Sequence, residues 1–302
     1  MDLTDIVRSA SLVVVFLLVA VFADRKLWMT TDILATVGFG ATFAIFPRVL
    51  LGFQVADQLD AAHLSLARVY GLSLLCSAFI WYITSETRDG TVPITLMMSR
   101  VSSCSLTLMV QVYSFWGLAK SSKYWTDQFL WFGILGTTLW LLGNLIHLMK
   151  SSDFSTYPQY NIRLNSHLRL DSWLMTVIAF SLVAFPTFIV QHLYGVKANP
   201  IHLHICRCLG ALSFGESVIS LQAPGFLHER DKKAQLCARI LWSVLITTPW
   251  LASALLFGLV SLNALSHISL LIILPLTNAM IGYFTEANII YRVPVKNDLK
   301  RN

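Results

Sequence analysis

Ser65-Leu66-Ala67-Arg68-Val69-Tyr70-Gly71-Leu72-Ser73-Leu74-Leu75-Cys76-Ser77-Ala78-Phe79-Ile80-Trp81-Tyr82-Ile83-Thr84 carries a single formal charge over its whole length. About 20 apolar residues in helical form reach across the hydrocarbon of a bilayer. Seven further runs of that kind flank it: Asp32–Phe53, Pro93–Leu118, Gln128–Met149, Leu170–Leu193, His202–Gln222, Ala234–Ser261 and Ser266–Tyr291. A shorter run, Ser9–Ala23, precedes them all. The expected fold is therefore all-α: a polytopic membrane protein of about nine transmembrane helices.

Composition agrees. Of 302 residues, 56% are hydrophobic and 13% charged, and the mean hydropathy is +0.65. Soluble domains use roughly 25% charged residues, so lipid is the medium for most of this chain. The net charge of +6 sits mostly in short connectors, where it orients a membrane protein and does not point to nucleic acid. The cysteines Cys76, Cys104, Cys206, Cys208 and Cys237 lie in or beside apolar runs and form no disulfide framework.

Val21-Phe22-Ala23 resembles a signal-peptide cleavage site, but Asp2 and Asp5 precede the run and Arg25-Lys26 follow it. Signal peptides carry the opposite polarity, so this segment is expected to be a retained anchor with its N-terminus outside. With nine spans, thirteen Lys and Arg fall on one side of the membrane and five on the other. The richer side is the cytosolic one. It holds the C-terminus, and the N-terminus is luminal or extracellular.

A constant offset of 139 residues links Asp32 to Asp171, Pro47 to Pro186, His63 to His202, Arg68 to Arg207, Gly71 to Gly210, Arg100 to Arg239 and Gly143 to Gly282. Intramembrane arginines, histidines and prolines are rare, so their agreement at one ungapped offset points to a tandem duplication. Four spans per copy is an even number, so both copies insert in the same direction. The expected organisation is an anchor helix (1–27), a first four-helix repeat (28–150), a polar linker (151–169), a second four-helix repeat (170–291) and a basic cytosolic tail (292–302).

Phe46-Pro47, a polar connector, then Arg68-Val69-Tyr70-Gly71-Leu72-Ser73-Leu74-Leu75 with Trp81 further along resembles the p53-inducible protein 11 family of small multi-pass membrane proteins. The resemblance covers one four-helix copy at a time. The second copy departs from it, with Leu209 in the tyrosine position and Glu216 where the first has Ser77. The resemblance implies an endomembrane protein and brings no catalytic chemistry with it.

Ionisable groups inside spans are costly and mark candidate sites. The set here is Asp32, Arg100, Asp171, Glu216, Arg239 and Glu286, with Glu216 and Arg239 at similar depth on consecutive helices and Glu286 as a competing partner. Arg68 and Arg207, each preceded by a histidine (His63, His202), are placed to meet lipid headgroups at the outer face. His202-Leu203-His204-Ile205-Cys206-Arg207-Cys208 has metal-ligand residues at i, i+4 spacing, but the two pairs point to nearly opposite faces, so no metal and no cofactor is expected. Walker, His-Glu-x-x-His and Gly-x-Ser-x-Gly patterns are missing from the sequence. The expected role is a non-catalytic membrane subunit or scaffold of the endoplasmic reticulum. Its partners would be membrane lipids and another membrane or membrane-docked protein, for instance in a lipid-transfer assembly. The competing expectation is a transporter of a small solute or lipid with its site between the repeats.

Overall fold

The computed structural model describes residues 14–117, 124–126, 129–151, 162–257 and 262–285. Glu286, the tail and most of the 151–169 stretch lie outside the described residues. Helices in chain order are α1 (14–22), α2 (Arg25–Ile45), α3 (Pro47–Gln54), α4 (Ala61–Ile83), α5 (Thr91–Val112), α6 (Gly136–Met149), α7 (Ile162–Ala184), α8 (Pro186–Tyr194), α9 (Pro200–Gln222), α10 (Glu229–Phe257) and α11 (Leu262–Tyr283). Short π-helical turns at Tyr113–Gly117 and Phe129–Leu135 flank the α5–α6 connection. Among the described residues no β-strand forms; one isolated bridge joins Val55 to Trp125.

Five helical stretches are long and apolar enough to cross a membrane: Arg25–Ile45, Ala61–Ile83, Thr91–Trp116, Ile162–Ala184 and Glu229–Leu255. The runs Gly133–Met149 and Leu271–Tyr283 are apolar but shorter. Helix α9 has the length but carries His202, His204, Arg207 and Glu216. It tolerates them because it packs against α4, α5, α7 and α8 and so is shielded by protein.

Two expected single spans are each broken in two. The runs Asp32–Phe53 and Leu170–Leu193 bend where Phe46 (φ −120°, ψ 49°) and Phe185 (φ −120°, ψ 40°) leave the helix before Pro47 and Pro186. Proline lacks the N–H that would continue the ladder and clashes with the preceding turn, but suits the first position of a new helix. Helix α7 also begins at Ile162, inside the stretch expected to be a linker. Leu164, Leu168, Asp171, Met175 and Ala179 form its buried stripe, and that helical spacing extends the helix past the polar surface residues.

The packing is interlocked. Helix α4 rests on α2 and α10, whereas α9 rests on α7 and α5, and α4 and α9 touch each other. Each of α5 and α10 therefore leans on the central helix from the other half of the chain. Close approach depends on glycine. A Cβ on Gly71 would lie 2.6 Å from the Ala44 nitrogen and the Gly40 carbonyl, and one on Gly210 would lie 2.9 Å from the Ala179 carbonyl. At Gly215 the Ser99 carbonyl is equally close, at 2.8 Å. The outward faces of α2 and α7 are apolar: Leu34 and Trp173 are 68% and 71% exposed, the pattern of surfaces that meet lipid.

Gly71→Ala and Gly210→Ala should each destabilise the detergent-solubilised protein by about 1–3 kcal/mol, the usual cost of overpacking. Gly38→Ala, with nothing within 4 Å of its would-be Cβ, should leave the thermal midpoint, followed by size-exclusion chromatography, unchanged.

Candidate functional site

Along α7, α9 and α10 the charged side chains Asp171, Glu216 and Arg239 fall between two apolar clusters. One cluster contains Leu66, Cys76, Met175, Leu209 and Trp242, the other Ile80, Leu168, Ile219 and Ala238. Asp171 lies between positions 168 and 175 of α7, Glu216 between 209 and 219 of α9, and Arg239 between 238 and 242 of α10. The result is a polar layer across the interior of the bundle.

Two ion pairs anchor it. Arg100 grips Asp32 through both oxygens, Nη2 to Oδ1 at 2.7 Å and Nε to Oδ2 at 3.2 Å. The Asp32 carboxylate also accepts from Thr36 (3.1 Å) and Asn144 (3.4 Å), and Asn144 in turn accepts from the Trp28 indole at 3.3 Å. In the other half, Arg239 Nε donates to the two Asp171 oxygens at 2.9 and 3.2 Å. Ser220 donates to Asp171 Oδ2 at 2.5 Å, and Gln235 donates to Ser220 at 2.8 Å. Both pairs join residues 68 apart in the chain, and each guanidinium lies over a tryptophan, Trp81 at 5.2 Å and Trp242 at 5.4 Å. Burial of such charges is tolerable only with this degree of pairing.

These contacts correct the expected Glu216–Arg239 ion pair. Arg239 takes Asp171 instead. Counting depth on consecutive helices assumes that α9 and α10 are the relevant neighbours, but α10 leans on α4 and reaches across to α7. Glu216 stays close to Arg239, with Ser77 and Arg100 also beside its carboxyl, yet no ion pair joins it to either arginine among the described residues. The competing partner Glu286 lies outside the described residues.

The expected headgroup contacts are also redistributed. His63 and His202 are each 1% exposed and face each other, their rings stacked at 3.6 Å and 4° from parallel. Each closes a reciprocal cap at its own helix start. Asp60 Oδ1 accepts from the His63 N–H (2.8 Å) while the Asp60 N–H donates to His63 Nδ1 (3.0 Å). Asn199 and His202 repeat this at 3.0 and 3.3 Å. The outer nitrogens then cross over, His63 Nε2 to Asn199 Oδ1 at 2.9 Å and His202 Nε2 to Asp60 Oδ1 at 3.2 Å. A backbone N–H can only donate, so each Nδ1 is an acceptor and each Nε2 carries the proton. The 2.9 Å approach of Asp60 Oδ1 to His63 Nδ1 is therefore not an ion pair.

That assignment also decides the metal question. Asp60, His63 and His202 bring three ligand atoms within 4.8 Å of one another, but every imidazole lone pair is already taken and the residues do not fit an ion. Burial pushes the Asp60 carboxyl up, yet the hydrogen bonds it accepts from the His63 N–H and from His202 Nε2 act the other way, and the group lies below the usual carboxylate range. The cysteine-containing motif separates as its spacing implied. His204 bonds Ser114 (2.9 Å) and Cys208 (3.5 Å), whereas His202 turns to the junction. Of the two arginines, Arg207 donates to the Val183 carbonyl at 3.4 Å and lies over Tyr113 at 5.1 Å. Arg68 is half-buried.

Three features went unnoticed in the sequence. The Asx-x-x-His caps were visible, since Asp60 and Asn199 precede their histidines by three residues at the same 139 offset. The Ser65 cluster, in which Tyr194 (3.1 Å) and Ser253 (2.8 Å) bond its hydroxyl and Trp250 donates to Tyr194 (2.9 Å), joins residues far apart in the chain and had no signal. The same holds for Trp242 donating to Ser73 at 3.0 Å.

The family described as domain of unknown function (DUF8292) matches residues 30–284, and the chain belongs to it. The matched region extends from α2 to the end of α11 and so takes in both halves. No curated protein and no solved structure matches the chain.

Arg100→Met should cost about 3–5 kcal/mol by leaving Asp32 buried without its cation, and adding Asp32→Leu should recover most of that loss; a double-mutant cycle on thermal stability measures it. Acid sensitivity at the junction has a defined sign. Because the folded-state pKa of Asp60 is depressed, its contribution is fully present above the unfolded value, about 3.9, and is lost as pH falls through the folded one. The difference in thermal midpoint between wild type and Asp60→Asn should therefore shrink in that acid range.

Proposed function

We propose that this protein is a non-catalytic, multi-pass membrane scaffold or complex subunit, built as an anchor helix followed by two tandem four-helix copies inserted in the same direction, nine spans in all. The observation that carries the architecture is the junction at His63 and His202. There the N-termini of α4 and α9 start side by side with crossed, reciprocal hydrogen bonds, which is what copies related by a two-fold axis along the membrane normal would produce. The matching 68-residue spacing of the two ion pairs supports the same reading.

The scaffold role rests on how the ionisable groups are used. Both intramembrane arginine–aspartate pairs tie helix to helix inside the bundle, and both histidines at the junction cap helices, so these groups serve cohesion. The large apolar faces of α2 and α7 remain for lipid or a partner's helix. In this reading the thirteen-charge side is cytosolic with the C-terminus, and the N-terminus is luminal or extracellular. The endoplasmic reticulum is the membrane that the resemblance to the p53-inducible protein 11 family favours, with a lipid-transfer assembly as the setting. A transporter of a small solute or lipid is the second reading, favoured by Glu216 at the contact between the halves. The close helix approaches at Gly71, Gly210 and Gly215 weigh against a wide passage there.

Solubilisation of native membranes in mild detergent should yield the chain in a complex with one stoichiometric second polypeptide, resolved by native electrophoresis and mass spectrometry. Recovery of the monomer alone, together with uptake of a solute by reconstituted vesicles, would replace the scaffold with the transporter.

A further inference from the structure

The polar layer contains more hydrogen-bonding capacity than its two ion pairs use. Lys232, Gln235, Arg239 and Ser243 recur at helical spacing on one face of α10, and all are at most 4% exposed. Lys232 bonds Asn165 at 3.3 Å, and Gln235 reaches Asp171 through Ser220. Five polar atoms with no partner lie on or beside this stripe: Asn165 Nδ2, Gln235 Oε1, Arg239 Nη2, Ser243 Oγ and Glu216 Oε1. Each belongs to a side chain at least nine-tenths buried. A polar atom left unmet in the interior costs about 1–3 kcal/mol, so five on or beside one face of α10 call for the same kind of occupant.

The chemistry of the atoms selects it. Donors (Asn165 Nδ2, Arg239 Nη2) and acceptors (Gln235 Oε1, Glu216 Oε1) occur together, with the Ser243 hydroxyl able to do either. The Arg239 guanidinium opposes a bound cation, and the Glu216 carboxyl opposes a bound anion. Water satisfies both kinds of atom and typically makes about three such bonds when buried.

The charges around Glu216 then define its role. Facing it are Arg239 from α10, Asp171 from α7, Arg100 from α5, and Cys76 and Ser77 from α4. Arg239 is committed to Asp171 and Arg100 to Asp32. Among the described residues, Glu216 is therefore left with no cation of its own. In the first half the matching position is Ser77, so the site exists once.

We propose that the stripe from Lys232 to Glu216 is a hydrated file through which the Glu216 carboxylate exchanges a proton with water at the α10 N-terminal end. The step is a simple transfer: a hydronium gives its proton to a carboxylate oxygen, leaving neutral carboxylic acid and water, and the reverse step returns it. Gln235 and Arg239 position the intervening water, and Lys232 marks the mouth.

Infrared spectroscopy of the full chain in liposomes tests this. A protonated-carboxyl C=O band that grows on acidification and is missing in Glu216→Gln is the expected result, and the band should shift on transfer to D2O. Gln235→Leu, which puts an apolar side chain in the file, should slow that exchange roughly tenfold, equivalent to one lost hydrogen-bonding site on the path. Should Glu216→Gln fail to fold, wild-type protein treated with dicyclohexylcarbodiimide gives the same information. The reagent adds the O–H of a protonated carboxyl across its N=C bond, and mass spectrometry should find the adduct on Glu216, forming more slowly as pH rises. A Glu216 band or adduct independent of pH, neither signal at any pH, or unchanged exchange in Gln235→Leu would overturn the proposal.

Discussion

A guanidinium inside a bilayer must bring its anion with it. In this protein that constraint acts twice, at Arg100–Asp32 and Arg239–Asp171, and the rest of the bundle is arranged around it. Each pair joins the first long helix of its half to the third, α2 to α5 and α7 to α10. Those third helices rest on the central helix of the other half. A pair formed within one half therefore also clamps the two halves together. Cutting one partner from such a pair leaves a desolvated charge, whereas exchanging both for apolar side chains removes the obligation.

The interlock explains the distribution of polarity. Helix α9 carries histidines, an arginine and a glutamate because protein, not lipid, surrounds it. Helices α2 and α7 keep apolar outer faces, with Leu34 and Trp173 exposed there, as helices long and apolar enough to cross a membrane do. The polar layer gathers serines, asparagine, glutamine and the ion pairs, which bond one another across helices. At the far end, the stacked His63 and His202 pair adds a second cross-link. Its order comes from caps, each helix start lending its backbone N–H to a ring nitrogen and thereby fixing which nitrogen carries the proton.

Glu216 breaks the match between the halves. Ser77 occupies the corresponding place, and the two residues meet near the middle of the bundle. The unmet atoms beside that acid are on the half that carries it, which is why the site has no twin.

The sequence by itself determined the helical class and the helices apolar enough to cross a membrane, because long apolar runs leave a helix as the structure that satisfies its own backbone. The 139-residue offset also identified Asp32, Arg100, Asp171 and Arg239 before any contact was known. Partner choice was a different matter. Arg239 had Glu216 nearby by depth, and only the crossing of α10 over α4 gave it to Asp171. His63 and His202 were expected to meet lipid headgroups, because a position near a helix start fits either a headgroup or a neighbouring helix start, and periodicity cannot distinguish the two. Where the chain bends at Phe46 and Phe185 was written in the prolines that follow. Which helix each bent segment leans on was not, since packing between helices depends on side-chain shape and glycine contacts from distant parts of the chain, and these exist only once the chain has folded.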